Sequence, residues 1–185
     1  MQSTLFSNVR ILDGSGAAPY PGSVLIEGKR IKHISRSAAP ISSGDALQID
    51  AAGATLMPGM CEAHTHFSWN NAANLAGIQT MPLEEHVLWS AKVAKTYLEA
   101  GWTSCVGAAC AKPRLDVVIR NAINSGQIPG PRYLAASQEI TVPGALGDET
   151  LPHLPFPEFS FGVNVNGAED MRKCVRMFLK YGVDS

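Results

Sequence analysis

Leu56-Met57-Pro58-Gly59-Met60-Cys61-Glu62-Ala63-His64-Thr65-His66-Phe67 is the stretch on which the fold turns. Pro58-Gly59 marks the entry to a new element. In a β-strand, residues i and i+2 point to the same face, so the imidazoles of His64 and His66 project together. Two neutral imidazoles side by side can hold one divalent cation. A half-buried strand that carries two histidines for no chemical reason has the same local sequence. The rest of the chain has to choose between the two readings.

Downstream, Met81 to Ala100 has a helical period, with Leu83, Val87, Ala91, Ala94 and Leu98 on one stripe. Pro82 and the acidic Glu84 and Glu85 suit its start, and Gly101 its stop. His86 lies beside that stripe and reads as a packing or surface residue. Trp102 to Ala109 is small and apolar enough for a strand buried on both faces. Pro113 to Ser125 repeats the helical pattern, with Leu115, Val118, Ile119, Ala122 and Ile123 on one face. Arg132 to Ser137 reads as a third strand. Ile140 to Asn166 is a long loop rich in Pro and Gly, with Phe156, Phe159 and Phe161. Loops of that length inside a domain are usually functional or disordered. Ala168 to Tyr181 is a third helix, with Met171, Cys174, Val175, Phe178 and Leu179 inward, and Val183-Asp184-Ser185 begins the next strand. Strand–helix alternation of this kind predicts βαβ units on a parallel sheet.

Upstream, residues 5–57 read as short strands: Leu5 to Leu12, Ser23 to Glu27 and Arg30 to Ile34 around a Gly28-Lys29 hairpin turn, and Leu47 to Asp50. Asp13-Gly14-Ser15-Gly16 and Pro21-Gly22 read as turns. His33 falls on a sheet face with a structural role. The expected organisation is two domains, 1–57 and 58–185.

Composition narrows the function classes. Fifteen Lys and Arg balance sixteen Asp and Glu, for a net charge of −1. No basic patch or charge run points to nucleic acid. The N-terminus lacks a cationic segment followed by an apolar core, so no secretory signal is read there. No apolar run approaches the roughly 18 residues of a membrane span. Four cysteines (Cys61, Cys105, Cys110, Cys174) without Cys-x-x-Cys spacing read as buried free thiols in a reducing compartment, and a cytoplasmic location is expected.

The chain resembles the amidohydrolase superfamily, in its imidazolonepropionase-like and prolidase-like branch. The resemblance is carried by Val9-Arg10-Ile11-Leu12-Asp13-Gly14, Val24 to Ile31, Ile49-Asp50-Ala51-Ala52-Gly53, Met57-Pro58-Gly59-Met60 and Ala63-His64-Thr65-His66. It continues through Gly101-Trp102-Thr103-Ser104, Gly130-Pro131-Arg132 and Lys180 to Asp184. It implies an α/β fold: the N-terminal part of a β-sandwich, followed by the first half of a metal-dependent (β/α)8 TIM-type barrel, whose active sites lie at the C-terminal ends of the strands. It implies that His64 and His66 bind a divalent cation, zinc first among the candidates, with one or two ions. The other ligands implied are a carboxylated lysine, two histidines and an aspartate. None matches a position here, and the lysine falls just after Ser185. The catalytic acid–base group is therefore expected beyond Ser185, and the missing part of the barrel is an expected partner.

The activity implied is metal-dependent hydrolysis of amide-type C–N bonds in a small molecule or dipeptide, with a homo-oligomer as the assembly and neither nucleic acid nor membrane as partner. The alternatives are a metal-dependent deaminase of a heterocycle, or a non-catalytic fragment or subunit. Trp69 and Asn70 are expected at the pocket mouth. His153 is a further candidate for substrate contact, because Leu146 stands where relatives carry a substrate-facing histidine. Glu62 stands where relatives carry Asp, and its extra methylene would shift any hydrogen bond behind the metal ligands.

Overall fold

Alternation of apolar and polar residues shapes the first fifty-eight positions. The computed structural model describes residues 3–36, 41–42, 44–155 and 160–185; Phe156 and Phe159 lie outside them. The chain divides into two units, Met1–Pro58 and Gly59–Ser185. In the first, β1 (Ser3–Ile11) pairs antiparallel with β2 (Tyr20–Glu27), and β2 turns at Gly28-Lys29 into β3 (Arg30–Ser35). β4 (Leu47–Asp50) and β5 (Thr55–Leu56) run parallel to β1, giving the order β3-β2-β1-β4 with β5 also against β1. Val9, Ile11 and Val24 form the core of this sheet, with Phe6, Tyr20, Ile26, Ala51 and Leu56 packed around them.

Pro21-Gly22 is not a turn. Both residues lie within β2, opposite Arg10 and Val9. β3 reaches only to the level of Ser23, so the missing Pro21 N–H faces no strand on that side. Gly22 is required for space: a Cβ there would stand 2.2 Å from the Ser35 carbonyl oxygen.

The second unit is built on three parallel strands, β6 (Met60–Thr65), β7 (Trp102–Gly107) and β8 (Arg132–Leu134), side by side in that order. The strand expected over 56–67 is therefore two pieces, since Thr55–Leu56 belongs to the first sheet. α1 (Leu75–Gln79) and α2 (Leu83–Glu99) separate β6 from β7, and α3 (Leu115–Asn124) separates β7 from β8. Phe67, Ala94, Cys105, Ile119 and Tyr133 make the core, and Val87, Ala91, Tyr97 and Ile123 pack on it. Phe67 is wholly buried and stacks on Tyr133 at 4.3 Å. Burying such a ring contributes about 1.5–3 kcal/mol.

β7 is less enclosed than its composition suggests, with only Cys105 and Gly107 buried. Of the four cysteines, all free, Cys61 is exposed and the other three are buried.

The long loop after β8 is tied across its base. β9 (Ile140–Thr141) pairs in parallel with β10 (Val163–Asn164), and α4 (Ala168–Tyr181) follows. In α4 only Cys174 and Phe178 are buried. Met171, Val175 and Leu179, expected inward, are exposed. After α4 the chain returns to β8: Asp184 N–H bonds to Ala135 O at 2.8 Å, and Ser137 N–H to Ser185 O at 2.9 Å. Val183–Ser185 thus lies alongside the continuation of β8. No helix among the described residues is long and apolar enough to cross a membrane.

Candidate metal site

His64 lies in the last turn of the β6 pleat and His66 one residue beyond the strand. The pairing of β6 with β7 shifts between Glu62 and Thr65. Thr65 is pinned on both sides of that shift: its Oγ1 donates to Val106 O at 2.9 Å, and its carbonyl accepts from Ala108 N–H. Glu62 Oε1 accepts from the His64 backbone N–H at 3.1 Å, which is where the longer side chain goes. The two imidazoles meet edge to face, with centroids 4.9 Å apart and Nε2 to Nε2 at 3.1 Å.

The hydrogen bonds decide which protons are present. His66 Nδ1 lies 3.2 Å from the Ala109 carbonyl oxygen. A carbonyl only accepts, so Nδ1 carries the hydrogen and Nε2 presents a lone pair toward His64. Burial pushes the His66 ring below the usual histidine range, opposed by the Ala109 bond and reinforced by His64. Neutral imidazole with a free Nε2 is the ligand form of histidine.

Zinc–nitrogen bonds of about 2.0–2.1 Å in a tetrahedron set two imidazole nitrogens about 3.3 Å apart. The observed separation fits that span, so the donor pair suits a divalent cation. Among the described residues no third His, Cys, Asp or Glu joins it. His64 is exposed and His66 half-buried, so one side of the pair stays open.

The other expected residues divide. Trp69 is part of the site: its indole lies flat on the His66 ring, 4.0 Å between centroids and 20° between planes, and its far side meets Phe161 edge-on at 5.4 Å. Asn70 is occupied within its own loop, accepting from Ala72 N–H at 3.2 Å and donating to Gly77 O at 3.3 Å. His153 is exposed on the loop after β8, and Leu146, at its tip, is 81% exposed. A cleft of about 450 Å³ opens on the same unit, lined by Gln79, Lys112, Gln138, Thr150, Ser160 and Asn164 among others, and the histidine pair is not part of its wall.

Sequence reasoning missed the Ala109 carbonyl, a backbone group that no residue type announces. It also missed Asp116, wholly buried at the start of α3 with its carboxyl on Tyr133. An aspartate in the first turn of a helix is ordinary, so nothing marked this one.

Parallel strands joined by helices, with a histidine pair at the C-terminal end of the first of them, are the arrangement that a likeness to the amidohydrolase superfamily implies. The comparisons agree with it. The chain resembles solved amidohydrolases and prolidases over its whole length. An amidohydrolase structure superimposes on all of it with a TM-score of 0.84 and 25% identity. A prolidase solved with N-methylphosphonate-L-proline covers 98% of it with a TM-score of 0.84 and 26% identity. The chain spans under half the length of these two proteins, 46% and 45%. The dihydroorotase of Streptococcus thermophilus is 35% identical over 63 residues, 34% of this chain and 14% of that enzyme, and points to the same superfamily. No protein-family model matches the chain.

Proposed function

We propose that the protein is a metal-dependent hydrolase of amide-type carbon–nitrogen bonds, with His64 and His66 as two of its metal ligands and zinc as the first candidate ion. The observation that carries this reading is the pair of Nε2 atoms 3.1 Å apart, one of them held as a lone-pair donor by the Ala109 carbonyl. The whole-chain likeness to an amidohydrolase and a prolidase supports it. In this reading β6, β7 and β8 are the opening strands of a (β/α)8 barrel, and the first sheet is part of a β-sandwich.

A bound metal of this kind lowers the pKa of its water toward about 7 and polarises a scissile carbonyl. His64 and His66 do no proton transfer themselves; they supply lone pairs and a direction. Trp69 covers one face of the His66 ring and keeps water from it. The Ala109 carbonyl holds the proton on Nδ1, so Nε2 stays available. The remaining ligands and the proton-transferring group belong, in this reading, to positions after Ser185. A dipeptide is the substrate class supported by the prolidase likeness, and a cyclic amide the second, supported by the local dihydroorotase match.

Metal analysis of the purified protein, with and without chelator, tests the reading against a panel of Xaa-Pro dipeptides and cyclic amides. Stoichiometric metal and chelator-sensitive hydrolysis are expected. His64→Ala and His66→Ala should each lose metal and activity together while far-ultraviolet dichroism is kept. Protein that holds no metal, or both variants retaining it, would refute the proposal.

A further inference from the structure

Two residues of α2 end on the backbone that follows β6. His86, wholly buried, donates its Nε2–H to the Ser68 carbonyl. One turn on, Trp89 donates its indole N–H to the Trp69 carbonyl at 2.9 Å. The same short segment is held from other directions: Ala111 N–H bonds to Ser68 Oγ at 2.9 Å, and Trp69 N–H to His66 O at 3.2 Å. Two consecutive carbonyls, Ser68 and Trp69, are thus tied to one helix, and the side chain between those ties is the indole stacked on His66.

Packing alone does not explain these residues. His86 Nδ1 is buried without a hydrogen-bond partner among the described residues, a cost that a leucine in the same space would avoid. The ring bonds instead through Nε2, to the Ser68 carbonyl. Trp69 Nε1 likewise has no hydrogen-bond partner among the described residues, so the indole is held by its stacking and its backbone rather than by its own polar atom. Ring orientation at a metal ligand is what such outer contacts control.

We propose that His86 and Trp89 are positioning residues for His66: through the Ser68 and Trp69 carbonyls they hold the indole that sets the plane of the His66 ring, and with it the aim of Nε2. This rests on His66 being a metal ligand as proposed above. The chain of contacts runs from α2 to the loop backbone, from the loop to the Trp69 ring, and from that ring to the imidazole. The Ala109 carbonyl fixes the same ring at Nδ1. Two constraints, one on the face and one on an edge, leave the imidazole a single orientation.

The test uses the complete natural protein and zinc competed with a chromogenic chelator. Trp89→Phe keeps an aromatic ring but removes the N–H; Trp69→Leu removes the stack. Each should weaken zinc binding about 10- to 100-fold. The Trp89→Phe/Trp69→Leu double variant should be no weaker than Trp69→Leu alone, because both act along one path. Trp69→Phe, which keeps a stacking ring, should lose less than Trp69→Leu. In metal-free protein, the His66 ring protons should be shifted upfield by the indole in NMR spectra and move back toward ordinary values in Trp89→Phe, while Phe67 and Tyr133 signals stay in place. Unchanged His66 ring shifts and wild-type zinc affinity in Trp89→Phe would overturn the proposal, as would additive losses in the double variant. If the unsubstituted protein bound no zinc, the hydrolase reading would fall, and the ring shifts would still decide whether α2 positions His66.

Discussion

Asp116→Asn should abolish a pH dependence of stability that the natural protein carries between pH 4 and 6. Asp116 opens α3 and is wholly buried. Its Oδ2 accepts from Tyr133 Oη–H at 2.5 Å and from Ala136 N–H at 3.3 Å, while Oδ1 is buried with no hydrogen-bond partner among the described residues. Burial outweighs those bonds and pushes the carboxyl from 3.8 up to about 6. A raised acid pKa means that the folded state holds a proton the unfolded chain has already released. The stability this represents is fully present below pH 3.8, falls as pH rises through about 6, and is gone above it.

The gap is about two pKa units, or about 3 kcal/mol at 1.36 kcal/mol per unit. Asparagine has no such proton to lose, and its carbonyl oxygen can take the Tyr133 and Ala136 bonds. Urea denaturation of both proteins from pH 4 to 8 isolates the effect, since other titrating groups cancel in the difference. The variant should gain about 2.4 kcal/mol relative to the natural protein across that range, the rest having been lost already by pH 4. A difference that stays flat within about 1 kcal/mol, or moves the other way, would show that the buried carboxylate is not disfavoured and that the reasoning from burial is wrong.

Phe67→Ala should cost about 3–5 kcal/mol in the same denaturation assay, because the ring is fully enclosed and its stack on Tyr133 is lost. Gly22→Ala should disrupt the first sheet, since its Cβ would collide with a backbone oxygen rather than a movable side chain; reduced strand signal in circular dichroism and poor soluble yield are the readouts. Asp148→Ala should open the loop after β8 to limited proteolysis, because that carboxylate gathers Thr150, Asn164 and the Gly144 N–H. These bonds, that of Thr150 foremost, hold the carboxyl well below the usual range, so in the natural protein the loop's protection should persist down to about pH 4 and fail only in stronger acid.

The parallel core was legible because α2, α3 and α4 announce themselves by period and its strands by their bounds; α1, five residues long, is too short to show a period and was not read. α4 falls over Ala168–Tyr181 as read, between Gly167 and Gly182. What failed was inference from one residue type. Pro21-Gly22 has turn composition but sits in a strand whose neighbour stops short. Trp102 to Gly107 has the apolar content of a doubly covered strand, yet only Cys105 and Gly107 are buried. Met171, Val175 and Leu179 share a stripe with Cys174 and Phe178, but a stripe is wider than the contact a helix makes.

At the site, His64 and His66 were legible as a pair because spacing alone brings side chains to one face. Trp69 was placed near them by adjacency, but its stacking on His66 was not foreseeable, because it depends on α2, twenty residues along the chain. Asn70 was placed by the same adjacency, and its amide is used up inside the loop.

The short parallel bridge at the base of the long loop has a consequence of its own. Val163 N–H bonds to Glu139 O and Val165 N–H to Thr141 O, so the excursion is cinched at its neck before it reaches α4. The neck does not isolate the whole excursion, because Phe161, inside it, packs edge-on against Trp69 and accepts from the Gln138 amide at its carbonyl. Lengthening an already closed loop costs only about 0.6 kcal/mol per doubling. Extra length is thus tolerated best at the exposed stretch from Leu151 to Pro155, whereas Phe161 has to stay to back the Trp69 indole.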